Sequence, residues 1–450
     1  MQVPLQLISS LEDCSGFDKE AFERVHASGE QVTSIRLNPF KKAGIRNLQS
    51  RVPWTDEGYY LAERPSFTFD PLFHAGCYYV QEASSMFLEQ ALKQTTDLSK
   101  PLRILDLCAA PGGKSTHILS LISPDSLLVS NEVIRSRASV LKDNVMKWGC
   151  SNVVVSNNDP GDFRQLENYF DVIVVDAPCS GSGLFRREPG AVEEWSEDHV
   201  QLCSRRQQRI LADVLPALKP GGCLIYSTCS YSKEEDEEIV KWLIRDFSFT
   251  HYSLSVRPEW RIIESEYGYR FWPDQVKGEG FFIACLCKPA GNDKPDRKIK
   301  NRYLPLSKKE MEIISRWVLA AGHSFIRLKN TLVAVPESLT GEMELLQSSL
   351  KVIYAGTVVG ELMREKLMPH HSLAMSRLCS PAVPAKELMY DSAIKFLQKK
   401  EIDFGDTPMG WHLVTFHNVA LGWINVLANR ANNYYPKELR ILKDNQQAGL

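Results

Sequence analysis

Two cysteines occupy settings suited to covalent catalysis. Cys179 lies in Asp176-Ala177-Pro178-Cys179-Ser180-Gly181-Ser182-Gly183, and Cys229 in Ser227-Thr228-Cys229-Ser230. Each follows an apolar stretch that reads as a buried strand, Phe170–Val175 before the first and Cys223–Tyr226 before the second. A structural cysteine lies more often within a strand than on the loop after it. A thiolate is a strong nucleophile, but a free cysteine with a pKa of roughly 8.5 is only a few per cent ionised at neutral pH. A site that uses one must lower that pKa or deliver the thiol proton elsewhere. Asp176 ends its strand just before Pro178-Cys179, where its side chain can reach the same crevice; the alternative role is to cap the following turn.

The elements that must hold these loops alternate strand and helix. Strands are predicted at Leu102–Leu107, Leu127–Ser130, Val153–Ser156, Val172–Asp176, Leu224–Ser227 and Phe281–Leu286, with helices after Lys114, Arg135, His199 and Ser232. Such alternation predicts a doubly wound α/β sheet. In an open parallel sheet the loops after the strand C-termini form the ligand crevice, and both cysteines fall there. So does Cys108-Ala109-Ala110-Pro111-Gly112-Gly113-Lys114-Ser115, whose small residues let backbone N–H groups approach a ligand. That loop is neither a G-x-G-x-x-G fingerprint nor a Walker A loop. Asp106 before it either serves a ligand or orders its own loop. Glu132, at the end of the second strand, is placed to accept hydrogen bonds from ribose hydroxyls, a position that suits NAD equally. Asp159 follows the third strand and is placed to reach an adenine amino group. Ser232 with Glu235 reads as a capping box, and the acidic run Glu234–Glu238 suits a helix N-terminus, so these carboxylates read as structural.

In this order, Cys108–Lys114, Asp176–Gly183 and Ser227–Ser230 resemble the signature of the NOL1/NOP2/Sun family of RNA cytosine-C5 methyltransferases. The likeness covers most of the chain. Ser34-Ile35-Arg36-Leu37-Asn38-Pro39 and Tyr79–Met86 resemble the family's N-terminal motifs, Asn131-Glu132 with Arg137, Asn144 and Gly149 its second-strand segment, and Gly278–Phe282 its closing strand. The tail, with Gly410-Trp411-His412 and Gly422-Trp423, is most similar to the bacterial F-type 16S ribosomal RNA branch. The resemblance implies a Rossmann-like S-adenosylmethionine-dependent methyltransferase sheet with an N-terminal accessory domain and C-terminal α+β, PUA-like RNA-binding domains.

It implies S-adenosylmethionine as cofactor, held by Cys108, Ala109, Ala110, Pro111, Gly112, Gly113, Lys114, Glu132, Asp159 and Asp176. Cytosine C5 is too weak a nucleophile to take a methyl group unaided, and a thiolate adding to C6 makes it one. The resemblance assigns that nucleophile to Cys229, assistance in proton removal and release to Cys179, and the N3 and amino edge of the base to Asp176. A DNA cytosine-C5 enzyme uses the cysteine after proline, so Cys179 alone would suit that class; both cysteines together favour RNA. The implied partner is RNA, as ribosomal RNA or the small ribosomal subunit, and the implied state is a monomer without a metal. The rival readings are a transfer-RNA enzyme of the same family and a non-catalytic RNA-binding assembly factor. The presence of Cys179, Cys229, Asp176, Glu132 and Asp159 together argues against the second.

The 450 residues divide by expectation into an N-terminal accessory, RNA-facing domain (1–95), a methyltransferase domain (96–290), a linker and C-terminal accessory domain (291–384) and a PUA-like domain (385–450). The clearest boundary is Lys288–Lys298, rich in Pro, Gly and charge. A second break falls near Pro381–Pro384, after which Asp406–Phe416 reads as a turn and a short strand. No apolar stretch approaches the roughly 20 residues of a membrane span, and the start lacks the regions of a signal peptide, so the cytosol and no membrane contact are expected.

Eleven cysteines without a C-x-x-C pair or Cys/His zinc spacing indicate neither a disulfide framework nor structural zinc. Cys150, Cys203, Cys223, Cys285, Cys287 and Cys379 read as small core residues. His370-His371, His412 and His417 lack partners at metal spacing. The net charge of −2 resolves into −8 over residues 1–290 and +6 over 291–450, either chance surface charge or a C-terminal third that meets phosphates. Phe185-Arg186-Arg187 beside the crevice is placed to hold phosphates next to a flipped base. Arg36, Tyr78 and Tyr79 offer either RNA contact or packing. Trp411, Trp423, Tyr434 and Tyr435 offer stacking faces or core. Lys114 and Arg137 contact substrate or cofactor, or lie on helix surfaces.

Overall fold

Runs of β-branched and other apolar residues, buried on both faces, build the central sheet. Val153, Val154 and Val155, like Val172, Ile173, Val174 and Val175, are at most 1 % exposed. The computed structural model describes residues 3–291, 303, 305–328, 330–364 and 366–444. An N-terminal antiparallel sheet contains β1 (Ser34–Leu37), β2 (Leu48–Arg51), β3 (Gly58–Leu61) and β4 (Tyr78–Val80), in the order β2-β3-β1-β4. Then come β5 (Arg103–Asp106), β6 (Leu127–Asn131), β7 (Val153–Ser156), β8 (Phe170–Asp176) and β9 (Leu218–Thr228). They are followed by β10 (Thr250–His251), β11 (Ile263–Glu264), β12 (Tyr269–Phe271) and β13 (Phe281–Cys287). A second small sheet holds β14 (His323–Leu328), β15 (Thr331–Pro336), β17 (Thr357–Met363) and β18 (Lys366–Pro369), while β16 (Val352–Ala355) lies elsewhere. The last sheet is β19 (Ala385–Glu387), β20 (Gly410–Phe416), β21 (Val419–Val426) and β22 (Ala431–Asn433).

The central sheet runs β11-β12-β13-β9-β8-β5-β6-β7-β16, with β10 also on β13. Neighbours from β7 to β9 are parallel, and β13 joins β9 antiparallel. Strand order reverses between β5 and β8, which opens a crevice at their C-terminal ends. This is the predicted Rossmann-like fold. The edge strand β16, drawn from the C-terminal third, was not foreseen; it pairs antiparallel with β7.

Alternate side chains of each strand enter opposite cores. Ile104, Val172 and Val174 pack with Trp54, Tyr60 and Met86 from the N-terminal region. Leu105, Ile173 and Val175 pack with Ile210, Val214 and Leu243 of the helices Glu197–Val214 and Glu237–Phe247. A third core joins Ile35 and Leu72 to Phe396 and Val414.

The capping box expected at Ser232 does not form. The helix starts at Glu237 with Asp236 at its N-cap, because the Glu235 carboxylate is engaged by serines of the cysteine loops. Residues 292–298 of the predicted linker lie outside the described residues. Among the described residues, no helix is long and apolar enough to cross a membrane.

Candidate active site

β8 and β9 end side by side, Asp176 opposite Ser227, so the two cysteine loops leave the sheet together. Their thiols meet at 3.1 Å, Cys179 Sγ to Cys229 Sγ. The bond to Cys229, together with burial, pushes the Cys179 thiol well above its ordinary pKa. The loops are stitched by the Ala177 N–H donating to Ser227 O (2.8 Å), the Gly183 N–H to Cys229 O (2.9 Å) and the Tyr231 N–H to Ser182 Oγ (2.9 Å). The Gly280 N–H donates to Gly183 O (3.0 Å), which brings the segment before β13 onto the same platform. Gly183 has no room for a side chain: a Cβ there would stand 2.5 Å from Gly280 O and 2.8 Å from Cys229 O.

Asp176 does not cap its turn. One oxygen accepts from Ser227 Oγ (2.8 Å), and the other lies 2.7 Å from Lys114 Nζ. Lys114 is therefore not a helix-surface residue. Its ammonium reaches from the helix Gly113–Leu121 into the crevice and also lies over the Phe281 ring.

The loop from Cys108 to Lys114 is pinned from several sides. The Ala109 N–H donates to Asn131 O (2.8 Å), Arg137 donates to Ala110 O (2.9 Å), and Asn144 to Pro111 O (2.8 Å). Gly112 sits at φ +115°, a conformation that favours glycine, and a Cβ there would press on Leu141 at 3.3 Å. Asp106 orders this loop through Ser115 Oγ (2.7 Å), while its other oxygen is buried without a partner. Burial pushes its carboxyl up to about 7.

Glu132 is buried at the end of β6; its carboxylate accepts from the Ile134 N–H (2.9 Å) and faces Arg137 at 3.5 Å. Asp159 caps the short 3-10 helix Pro160–Leu166 through the Gly161 N–H and stands 3.8 Å from Arg209 at a half-exposed position. The crevice thus holds two contacting pairs, Cys179 with Cys229 and Asp176 with Lys114, at the ends of β8 and β9, with Cys108–Gly113, Glu132 and Asp159 along the ends of β5, β6 and β7.

The model of the family described as 16S rRNA methyltransferase RsmB/F matches residues 93–287. The N-terminal domain of 16S rRNA methyltransferase RsmF matches 3–83, and the methyltransferase RsmF PUA domain 384–441. Ribosomal RNA small subunit methyltransferase F of Aeromonas hydrophila is 31 % identical over 442 residues, 92 % of this chain and 91 % of that protein. The chain belongs to this methyltransferase family. The protein of the same description from Shewanella loihica is 28 % identical over 408 residues, covering 86 % of this chain and 83 % of its own. A crystal structure of a methyltransferase homolog from Pyrococcus horikoshii is 27 % identical with a TM-score of 0.51, over 64 % of this chain and 100 % of that one. NSun6 from Pyrococcus horikoshii, solved with SFG, shares the fold at 21 % identity and a TM-score of 0.53, over 64 % of this chain and 99 % of that one.

The structure corrects the phosphate role expected of Arg186, and it resolves most of the residues left open between RNA contact and packing in favour of packing. Arg186 is buried: its guanidinium grips Glu279 at 3.0 and 3.1 Å and donates to Gly278 O at 2.8 Å. Phe185 is fully buried, and only Arg187 of that trio is exposed. Arg36 is also fully buried, donating to Gln81 Oε1 (2.9 Å) and Thr116 Oγ1 (2.7 Å) and stacked over Trp148. Tyr78 donates to Asp70, Trp423 to His370 O, and Tyr435 packs against Phe396. Trp411 and Tyr434 remain partly exposed as a tilted pair 4.4 Å apart. His370 caps its helix through the Ser372 N–H (3.0 Å), and His371 is buried. Among the described residues, no three of His, Cys, Asp and Glu group as metal ligands would.

The sequence places Glu235 and Asp236 at a helix start as structural carboxylates, without their contacts to the cysteine loops, and does not single out Gln207. Asp236 accepts from Thr228 Oγ1 (2.6 Å), next to Cys229, and faces Arg270 at 3.4 Å. The signal that could have found Glu235 is the serine that follows each cysteine, since two buried hydroxyls need an acceptor.

Proposed function

We propose that this methyltransferase transfers a methyl group from S-adenosylmethionine to C5 of a cytosine in 16S ribosomal RNA, through a bond between the Cys229 sulfur and C6. The single observation that carries this reading is the pair of thiols at 3.1 Å beside the Asp176–Lys114 pair. The names of the relatives support the small-subunit substrate. The cofactor supplies an electrophilic methyl group when bound. The chain offers it a loop whose carbonyls are tied back, a buried Asp106 oxygen without a partner, and the Glu132 carboxylate at the end of the adjacent strand.

The Cys229 thiolate adds to C6, and the electron pair released into the ring makes C5 the nucleophile for the methyl group. Lys114 and Asp176 hold the polar edge of the base: the carboxylate accepts from its amino group, and the Lys114 ammonium offsets the negative charge that develops there on addition. After transfer a water molecule admitted to the crevice takes the C5 proton, the C5–H electron pair re-forms the C5–C6 double bond, and the C6–sulfur bond breaks with its pair on the Cys229 sulfur, which leaves as the thiolate. Cys179, kept as a thiol by its contact with Cys229 and by burial, assists this release by donating a hydrogen bond to the departing Cys229 thiolate.

The test is a denaturing gel of each variant mixed with small-subunit RNA and the cofactor. Cys179→Ser should accumulate a protein–RNA adduct, and Cys229→Ser should give none and no methyl transfer. Turnover retained by Cys229→Ser would overturn the nucleophile assignment.

A further inference from the structure

Glu235 lies in the turn between β9 and the following helix and is fully buried. Its carboxylate touches neither sulfur, yet it binds both cysteine loops. Oε1 accepts from the Ser180 N–H (2.8 Å) and Gln207 Nε2 (3.2 Å). Oε2 accepts from Ser180 Oγ (2.5 Å) and Ser230 Oγ (2.6 Å). Ser180 follows Cys179, and Ser230 follows Cys229. Gln207, on the helix Glu197–Val214, also donates to Pro178 O (3.1 Å), so the residue before Cys179 is held by the same cluster. Tyr226 Oη donates to Glu235 O (2.6 Å), which fixes the clamp to β9.

An ionised carboxylate is the side chain that can accept all four bonds at once. Burial raises the Glu235 pKa, and the serine bonds oppose that rise. A group that ties the chain on both sides of one thiol and beside the other fixes their separation. Geometry at reacting atoms has a steep effect on rate, since a displacement of about 1 Å can cost about 100-fold.

We propose that Glu235 is the positioning residue that holds Cys179 and Cys229 in contact for the two halves of the reaction. The assignment rests on the roles proposed above for the two cysteines, but the distance it predicts can be read without turnover.

The experiment follows bridging of the two thiols by dibromobimane, which fluoresces only when both its arms are alkylated, alongside kcat and KM for methyl transfer to small-subunit RNA. Bridging is assigned to the pair by its loss in Cys179→Ser. Glu235→Ala should slow bridging at least about tenfold and lower kcat at least about 100-fold, with KM for RNA within about twofold of wild type. Glu235→Gln keeps the shape: its carbonyl still accepts from the Ser180 N–H and its amide donates to the serine hydroxyls. It should keep bridging near wild type and turnover within about tenfold. If Glu235→Ala fails to fold, the Ser180→Ala/Ser230→Ala double variant should show the same slow bridging. Bridging at the wild-type rate in the alanine variants would overturn the proposal. So would a glutamine variant that bridges at the wild-type rate yet turns over as slowly as alanine, which would assign the role to charge and not to position. Slow bridging in a chain whose wild type does not methylate RNA would sink the proposed function and leave the clamp standing.

Discussion

Arg186 gives the sharpest test of the site's architecture, because the sequence suggests a phosphate contact and the structure a buried ion pair. The pair is two-pronged, at 3.0 and 3.1 Å, with both side chains 5 % exposed. Arg186→Met would leave the buried Glu279 carboxylate in a dry setting near the half-buried Glu82, which accepts from the Glu279 N–H. Removing one partner of a buried pair costs about 3–5 kcal/mol, because the remaining charge is uncompensated. The Gly278 carbonyl loses its donor too, although that segment keeps other bonds. Arg186→Met should therefore lower unfolding free energy in urea by about 3–5 kcal/mol, and adding Glu279→Leu should restore at least half of it, since well-packed apolar pairs substitute for buried ion pairs. RNA affinity of the folded variant should keep its dependence on salt. A loss below about 1 kcal/mol, with the slope of log affinity against log salt reduced by about one, would refute the buried-pair account and restore the phosphate contact.

Three further outcomes follow from other contacts. Asp106, raised from 3.8 to about 7 by burial, binds a proton in the folded chain that the unfolded chain has already lost; stability therefore falls as pH rises from about 4 to about 7, by at most about 4 kcal/mol. Asp106→Asn should flatten thermal stability across that window, and an unchanged slope would contradict the assignment. Gly280→Ala would press a Cβ to within 2.3 Å of the Tyr231 ring, which is stacked on Trp272, and should destabilise by about 1–3 kcal/mol in denaturant melts. Lys114→Met removes the cation beside Asp176 and should lower kcat/KM for methyl transfer by on the order of 100-fold, whereas a change within twofold would exclude Lys114 from the chemistry.

What the sequence makes legible is what is local. Strands β5 to β8 announce themselves as short runs of Val, Ile and Leu, whereas of the eleven-residue β9, interrupted by Pro220-Gly221-Gly222, only the end from Leu224 is legible. The loops that follow place Cys108, Cys179 and Cys229 at the C-terminal ends of their strands. Contacts between distant parts of the chain leave little trace. Glu235 sits where a capping box is expected, and only the fold brings it to Ser180, 55 residues away. Arg186 reads as a free cation because its partner Glu279 lies 93 residues on. β16 is a four-residue strand whose partner β7 comes nearly two hundred residues earlier, so no local pattern links them.

The central claim is methyl transfer to a cytosine of 16S ribosomal RNA by Cys229. Its most direct test is bisulfite sequencing of total RNA from cells lacking the gene, complemented with wild type or with Cys229→Ala. The account predicts one 16S cytosine protected in the wild-type complement and unprotected in the other two. A 16S cytosine still protected with Cys229→Ala would contradict the mechanism, and a site lost only from transfer RNA would contradict the substrate.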